Sequence, residues 1–152
     1  MGMGDREPLS WFEGEDPQMQ AAIKQAQESF QEFVKAIALE QRRVIPVIED
    51  SLVKYAFPAT KMGVKVEHIF LSDIELANGV LSGVINNEPM YTDEVEEGQR
   101  IDIDPSRVSD WLYVIQGKGT GGFTFKLMWS RFSRKEKAEY GGHPPFVWII
   151  NP

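Results

Sequence analysis

The chain contains no cysteine among its 152 residues, and it has only two histidines. The absence of cysteine excludes disulfides, thiol nucleophiles and thiolate ligands for zinc or iron–sulfur clusters. Basic residues are also few, because 16 Lys and Arg stand against 23 Asp and Glu, for a formal charge of −7. No basic run is longer than two residues, so the cationic face that nucleic-acid binding requires is missing. We therefore expect no nucleic-acid partner.

Long hydrophobic runs are missing too, since no stretch approaches the roughly 18 apolar residues of a membrane-spanning helix. The first eleven residues, MGMGDREPLSW, have neither the basic nor the apolar region of a signal peptide. These two absences predict a soluble, cytoplasmic protein without a membrane partner. With 42% hydrophobic residues, a chain of this length can form one domain with a sizeable core.

A long amphipathic helix is predicted near the N-terminus. Asp16 followed by Pro17 is typical of a helix start, with an acceptor at the N-cap and proline at the first helical position. Apolar residues then recur every three or four positions, at Met19, Ile23, Ala26, Phe30, Phe33, Val34 and Ile37. This stripe favours packing on a sheet over a coiled-coil seam. The helix should end before Pro46, because proline is not tolerated in a helix interior.

The rest of the chain predicts mostly β-structure. Candidate strands lie at residues 51–57, 64–76, 80–85, 99–103, 110–116 and 123–129. Asn78-Gly79 between two apolar runs is a strong hairpin signal, and residues 133–140 are predicted as a short charged helix. The pattern predicts an α+β fold with the long helix packed on a mostly antiparallel, strongly bent sheet. We assign residues 17–131 to this domain and residues 1–16 and 132–152 to terminal extensions.

The stretch GKGTGG, residues 117–122, has the G-x-G-x-x-G spacing of dinucleotide-binding loops. Such a loop leads from a strand into a helix, whose first N–H groups hold the pyrophosphate. Residues 123–129, FTFKLMW, show no helical stripe and are predicted as a strand instead. The kinase type of glycine loop joins two strands, but the residues that follow are too few for a catalytic lobe. We therefore interpret the stretch as a flexible glycine hairpin without a nucleotide cofactor.

The titratable residues form no recognisable catalytic motif. His68 and Glu67 point to opposite faces of a predicted strand, so they are not a local acid–base pair. His68 could meet a carboxylate from another strand, such as Asp110, although a hydrogen-bonded structural histidine is the simpler interpretation. His143 lies in a glycine–proline loop, and the acidic run at residues 93–97 lacks the calcium-loop pattern. No metal site is predicted.

Several short segments stand out by their order along the chain. They are VEHIFL at residues 66–71, Gly83, NNEP at 86–89, EGQRI at 97–101, VSDWLY at 108–113 and GGFT at 121–124. This combination resembles the YegJ-like bacterial family, domain of unknown function 2314, over about residues 17–131. The resemblance implies a small bacterial domain, and it implies no established activity, cofactor or catalytic residue.

These observations favour a non-catalytic protein-binding domain. By analogy with other small acidic bacterial domains, its most plausible form is an immunity-type inhibitor that occludes the active site of a toxin. An acidic surface would steer encounter with a basic active site. The residues predicted to contact this cognate protein are Asp93, Glu94, Glu96, Glu97 and Trp148.

The alternative function is an enzyme or a small-ligand-binding protein. Its pocket would be formed by polar residues of the family-like segments, namely Glu67, His68, Asn87, Glu88 and Asp110. A concave pocket in which His68 meets a carboxylate would favour this function, whereas a flush, fully hydrogen-bonded His68 would not. A third possibility is an oligomerisation module that uses the apolar segment FVWII, residues 146–150, as its interface. No cofactor is expected.

Overall fold

The computed structural model describes residues 11–150, which form an antiparallel sheet with helices on both faces. The helices are α1 Pro17–Glu28, α2 Phe30–Arg42, α3 Phe123–Arg131, α4 Arg134–Tyr140 and α5 Phe146–Ile149, and the strands are β1 Asp50–Pro58, β2 Val66–Ala77, β3 Val80–Ile85, β4 Arg100–Asp102, β5 Val108–Ile115 and β6 Lys118–Gly121. The strand order is β4-β3-β2-β1-β5-β6, so the predicted α+β class is confirmed. The signal-peptide interpretation and the outermost residues of both predicted extensions lie outside the described residues.

The predicted helix start is confirmed, but the single long helix is wrong. The Asp16 carboxylate accepts the Met19 N–H at 2.9 Å, and Pro17 opens α1. The helix stops at Ser29, whose hydroxyl donates to the Gln25 carbonyl at 2.6 Å and whose backbone lies at φ −100°, ψ 5°. The Ser29 N–H also donates to the Gln25 carbonyl, at 3.1 Å, and because ψ at Ser29 leaves the helical range, α2 begins as a separate helix. The apolar stripe continues across the break, so the sequence pattern alone does not reveal where α1 ends.

The main core lies between α1, α2 and the first face of the sheet. We define this first face by Val53, Tyr55 and Phe57 of β1, whose neighbours Lys54 and Ala56 point to the second face. The other fully covered members of the core include Ala26, Phe30, Phe33, Ile37, Ile69, Leu71 and Trp111. The alternation along β1 therefore decides which polar side chains reach the opposite surface.

The β2–β3 hairpin has the predicted turn. Asn78 and Gly79 adopt φ 54° and 79°, which is the left-handed geometry that an Asn-Gly hairpin turn requires. The strand register shifts after Lys54 in β1 and after Ser72 in β2. Such bulges increase the local twist and bend the strand.

The prediction of a strand at residues 123–129 is wrong, because this segment forms α3. The glycine stretch itself supplies the β5–β6 hairpin and the whole of β6. Gly121 and Gly122 then reverse the chain with φ 92° and 71°. Thr124 and Phe125 are buried, so tertiary contacts override the weak helix propensity of this aromatic segment.

The glycine stretch is not arranged as a nucleotide loop, although a helix does follow it. The expected hairpin is present, but its second strand is β6 rather than residues 123–129. The first N–H groups of α3, from Phe123 and Thr124, both donate to the Asp110 carboxylate. These are the groups that would hold a phosphate, so the start of α3 already has an anion from its own chain.

The C-terminal residues pack as helices on α3. Ser133 and Glu136 form a capping box at the start of α4, which confirms the predicted charged helix. The FVWII segment forms the short helix α5, and its Phe146 is buried against Trp129 and Phe132. The segment therefore docks on the domain through Phe146 and does not add a strand to the sheet.

Candidate functional site

Polar side chains gather on the second face of the sheet, under α3 and the segment that precedes α1. Lys54 comes from β1, His68 from β2, and Ser109 and Asp110 from β5. Thr124 approaches from the first turn of α3. Ser109, Asp110 and Thr124 are buried, with 1%, 0% and 0% of their surface exposed. We call these five residues the polar cluster.

Hydrogen bonding fixes the tautomer of His68. Its Nδ1 lies 3.2 Å from Ser109 Oγ, and that hydroxyl donates its only proton to the Lys54 carbonyl, also at 3.2 Å. With the Ser109 proton on the Lys54 carbonyl, Ser109 Oγ accepts from Nδ1, and we assign His68 the tautomer that leaves a lone pair on Nε2. Burial and the nearby Lys54 ammonium lower the pKa of His68 to about 4. The imidazole is therefore neutral at physiological pH.

A cavity of about 660 Å³ opens beside His68. Its lining residues are Trp11, Glu13, Gly14, Glu15, Gly63, Lys65, Val66 and His68. His68 Nε2 lies 4.0 Å from Glu15 Oε1, which is too far for a direct hydrogen bond. On its inner side the imidazole ring stacks on Phe12 at 6.0 Å. We call this space the His68 cavity.

Lys54 is the cationic member of the polar cluster. Its Nζ lies 3.5 Å from Thr124 Oγ1 and 5.3 Å from the centre of the Phe125 ring. Burial lowers the pKa of Lys54, while the charges of Asp110 and Glu15 oppose that shift. The ammonium thus balances the buried carboxylate without a direct ion pair.

Asp110 serves the fold and does not line the His68 cavity. Its carboxylate accepts the N–H groups of Trp111 at 2.8 Å, Phe123 at 3.0 Å and Thr124 at 2.8 Å, and the Thr124 hydroxyl at 2.5 Å. Burial raises the pKa of Asp110, and the hydrogen bonds from Thr124 and Trp111 limit that rise. The carboxylate is therefore a helix cap supplied by a strand.

The remaining residues of the predicted pocket lie elsewhere. Glu67 is on the first face, opposite Phe57 in the strand register. Its carboxylate accepts the N–H groups of residues 90–92 at 2.7 to 2.9 Å, so it fixes the loop between β3 and β4. Asn87 and Glu88 are exposed in that loop. The five residues of the predicted pocket are therefore not brought together, and His68 alone lines the cavity.

The predicted partner-binding residues lie on two separate surfaces. The loop between β3 and β4, residues 86–99, is called the acidic loop here, and it exposes Glu94, Glu96 and Glu97. Asp93 in the same loop pairs with Lys61 Nζ at 3.0 Å. Trp148 is half-buried in α5, beside Gly119 of β6. Gly119 pairs with Val114 opposite Asp50, at the start of β1, whereas Asp93 accepts from Thr60 beyond the end of β1. The nine residues of β1 therefore separate the two surfaces by roughly 27 Å, and one compact patch cannot include both.

An exposed apolar loop connects α2 to β1. This loop, residues 44–47 with the sequence VIPV, is called the VIPV loop below. Val44 is 98% exposed and Ile45 is 76% exposed. The C-terminal end of the loop is fixed, because the Glu40 carboxylate accepts the N–H groups of Val47 and Ile48, both at 3.1 Å. The side chains of Val44 and Ile45 can be buried only against the surface of another molecule.

Lys54, Glu15 and the VIPV loop are missing from the residues predicted to form a site. The sequence clue to Lys54 is its place inside the apolar run SLVKYAF. A lysine is rarely buried, and this strand lies inside the sheet with both faces covered. The signal for the VIPV loop is an apolar run outside any predicted element. Glu15 gives no signal of its own, because its role depends on a contact with His68 that is distant in sequence.

Residues 11–150 show no group of three His, Asp or Glu side chains that converge as metal ligands do. No helix in this range is long and apolar enough to cross a membrane.

Comparison with known proteins gives matches over most of the chain. Residues 16–144 match the family model described as "Uncharacterized protein conserved in bacteria (DUF2314)". A putative ankyrin repeat protein of Neisseria meningitidis serogroup B is 30% identical over 139 residues, which is 91% of this chain and 54% of that protein. The Escherichia coli K12 protein YegJ is 31% identical over 121 residues, which is 80% of this chain and 73% of YegJ. The chain spans about half the length of the Neisseria relative, and no solved structure matches it significantly.

Proposed function

The chain belongs to the bacterial DUF2314 family, and we propose that it is a non-catalytic protein-binding domain that docks onto its partner through the VIPV loop. The observation that carries this proposal is the high exposure of Val44 and Ile45 in a loop whose C-terminal end is fixed. Each such side chain contributes roughly 1.5 to 3 kcal/mol when it is buried. A folded protein rarely presents large apolar groups in this way unless they meet another surface.

The loop is suited to insertion into a cleft. Glu40 braces it through backbone N–H groups and through Arg43, whose guanidinium lies 3.0 Å from the same carboxylate. A loop that is already fixed at one end loses less conformational entropy on binding, so more of the burial energy contributes to affinity. Leu39 and Val80 are also half-exposed, at 50% and 46%.

The specific form that we propose is an immunity-type inhibitor, which occludes the active site of a bacterial toxin. The formal charge of −7 and the exposed acidic loop support a partner with a basic cleft. The Neisseria relative is named a putative ankyrin repeat protein and is longer than this chain. A region similar to this chain therefore occurs within a longer protein that is named for ankyrin repeats. Such repeats form extended binding surfaces.

The test compares capture of partners by the wild type and by the double variant Val44→Asp/Ile45→Asp. Met62→Asp is the matched control, because Met62 is 86% exposed and lies outside the VIPV loop. A partner retained by the wild type and the control is then purified for affinity measurements. We expect the double variant to bind it at least about 30-fold more weakly. Equal affinity of the double variant would remove the VIPV loop from the interface.

The inhibitor form needs a further measurement on the same purified partner. Its enzymatic or toxic activity should fall when one equivalent of the wild-type domain is added, and it should be restored with the double variant. A partner that binds through the VIPV loop and keeps its full activity would support a binding domain and contradict the inhibitor form.

A small-ligand function is the second candidate. The observation that favours it is the His68 cavity, where a neutral imidazole and the Glu15 carboxylate approach within 4.0 Å of each other. This arrangement is the concave meeting of histidine and carboxylate that a ligand site requires. Asp110, Asn87 and Glu88 take no part in it, so the pocket differs from the one predicted from the sequence.

A further inference from the structure

We propose that the His68 cavity binds a small organic cation, an amine or a guanidinium group, whose N–H groups bridge His68 Nε2 and the Glu15 carboxylate. The proposal rests on the second candidate function and gives that site a ligand class. It does not depend on the VIPV loop, so the two functions can fail separately.

The first argument is that two hydrogen-bond acceptors lie 4.0 Å apart on the wall of the cavity, where one ligand nitrogen can reach both. In the assigned tautomer Nδ1 of His68 donates to Ser109, whose own proton goes to the Lys54 carbonyl, and Nε2 is then an acceptor. Glu15 Oε1, 4.0 Å away, also only accepts while it is ionised. A ligand nitrogen with two or more N–H groups would satisfy both atoms, whereas an anionic ligand would be repelled by the carboxylate.

The neutral state of the imidazole makes this argument hold at physiological pH. Burial and the charge of Lys54 place the pKa of His68 at about 4, so the ring does not supply the missing proton itself. The groups that face the imidazole from other elements are Lys54 on β1, Ser109 on β5 and Glu15 before α1.

The second argument is the remaining lining of the cavity. Glu13 adds another carboxylate, and Trp11 also lines the cavity. The Arg107 guanidinium already stacks on Trp11, 4.4 Å from the ring centre. Glu13 and Lys65 are both exposed, so solvent screens their opposite charges and Glu15 is the carboxylate that decides the sign of the ligand.

The third argument is size. The cavity of about 660 Å³ lies within the usual range for small-ligand sites, roughly 300 to 1,000 Å³. It can therefore admit either a free amine or guanidine compound, or the side chain of a lysine or arginine that belongs to another protein. Both sources share the same cationic chemistry.

The experiment uses a matched pair of probes, N-acetyl-argininamide and N-acetyl-citrullinamide, which have nearly the same shape but differ in charge. The chain has only two histidines, so ¹⁵N NMR can follow the ring nitrogens of His68 directly. We expect the free protein to show a proton on Nδ1 and a lone pair on Nε2. The arginine probe should shift the Nε2 resonance, and the citrulline probe should not.

The variant Glu15→Gln tests the carboxylate, with Glu139→Gln as the control because Glu139 is an exposed glutamate on α4. Loss of a charge-assisted hydrogen bond should weaken binding of the arginine probe by about tenfold or more in Glu15→Gln alone. The Val44→Asp/Ile45→Asp variant should bind the probe as the wild type does, which separates this site from the protein-binding surface.

An arginine-containing peptide and its citrulline counterpart distinguish the two sources of the cation. Binding of the small probe supports a free ligand, and binding of the peptide alone supports a partner side chain. The proposal is overturned if Nε2 carries the proton in the free protein. It is also overturned if charged and neutral probes bind alike, or if Glu15→Gln binds as tightly as Glu139→Gln.

Discussion

His68 shows how neighbouring groups decide the chemistry of a single residue. Its ring is held between Phe12 and Ser109, and its outer nitrogen faces Glu15 at 4.0 Å. A histidine beside a carboxylate would usually be more basic. Here burial and the Lys54 ammonium act in the opposite direction and lower the pKa, and they outweigh the partly exposed Glu15 carboxylate.

The same shift predicts how stability depends on pH. The folded pKa of His68, about 4, lies below its ordinary value of 6.5, so the unfolded chain binds the proton more readily. The stabilisation that neutral His68 gives the folded state is complete above pH 6.5 and is lost as the pH falls toward 4. We expect a loss of about 2 kcal/mol in unfolding free energy between pH 8 and pH 5. Urea denaturation at a series of pH values measures it.

The matched variant for this prediction is His68→Phe, which keeps an aromatic ring next to Phe12 but cannot titrate. Carboxylates elsewhere in the chain contribute equally to both proteins. The difference between the two pH profiles should therefore isolate His68, and identical slopes between pH 8 and pH 5 would contradict the proposed environment.

Several residues singled out in the sequence turn out to have local structural partners. Asp110 caps α3, and Glu67 binds the backbone of residues 90–92. Their residue types could be read as catalytic, because carboxylates serve as acids, bases and helix caps alike. Only the positions of the backbone N–H groups distinguish these roles, and those positions are not encoded locally.

At the scale of elements, the segment from β5 to α3 behaves as one unit. Asp110 and Trp111 lie on β5, the glycine stretch makes the hairpin and β6, and Gly121 and Gly122 turn the chain into α3. The family-like segments VSDWLY and GGFT therefore belong to the same structure. Asp110 caps α3, and Gly121 and Gly122 supply the turn that leads into it.

The close approach at Gly121 gives a testable prediction. A Cβ at this position would collide with the Trp111 carbonyl and ring, and the backbone has φ 92°. We expect Gly121→Ala to lower the unfolding free energy by about 3 kcal/mol. The control is Gly142→Ala, where no atom lies within 4 Å of the added Cβ, and it should change stability by less than about 0.5 kcal/mol. Similar losses in both variants would contradict the tight turn.

The break between α1 and α2 is also an effect at this scale. Ser29 is compatible with a helix by propensity alone, and the apolar stripe continues on both sides of it. The helix ends at Ser29, whose backbone turns to φ −100° and ψ 5° while its N–H and its hydroxyl both donate to the Gln25 carbonyl. Because the two helices separate here, the Ala26 carbonyl is free to accept the Trp111 Nε1–H at 2.9 Å. The aromatic residues of α2 pack on the first face of the sheet.

At the scale of the whole molecule, the two proposed contact regions lie at different ends of β1. The VIPV loop precedes Asp50 at the start of the strand, and the acidic loop lies near its end, where Thr60 donates to the Tyr91 carbonyl. The strand has nine residues, so roughly 27 Å separates them. The acidic loop would therefore act mainly by long-range attraction, which does not require direct contact.

Charge reversal of the acidic loop tests this division of roles. We expect Glu94→Lys/Glu96→Lys/Glu97→Lys to slow association with the captured partner about tenfold or more at low salt, with little change in dissociation rate. The difference should shrink as added salt screens the charges. Stopped-flow measurements at two salt concentrations give both rates.

The control for charge reversal has the same change in net charge at exposed positions on the helices: Glu28→Lys/Glu32→Lys/Glu139→Lys. If this control slows association as much as the acidic-loop variant does, only the net charge matters. If neither variant changes the association rate, the partner does not have a basic surface.

The sequence by itself determined the α+β class, the start of α1, the Asn78-Gly79 hairpin, the capped helix α4 and the family, because these depend on local propensity, periodicity and short motifs. Only the tertiary structure decided that residues 123–129 are helical and that His68 meets Glu15. It also placed Asp110 under α3 and left the VIPV loop exposed. Each of these outcomes depends on hydrogen bonds or burial between segments distant along the chain, and such contacts outweigh local preference.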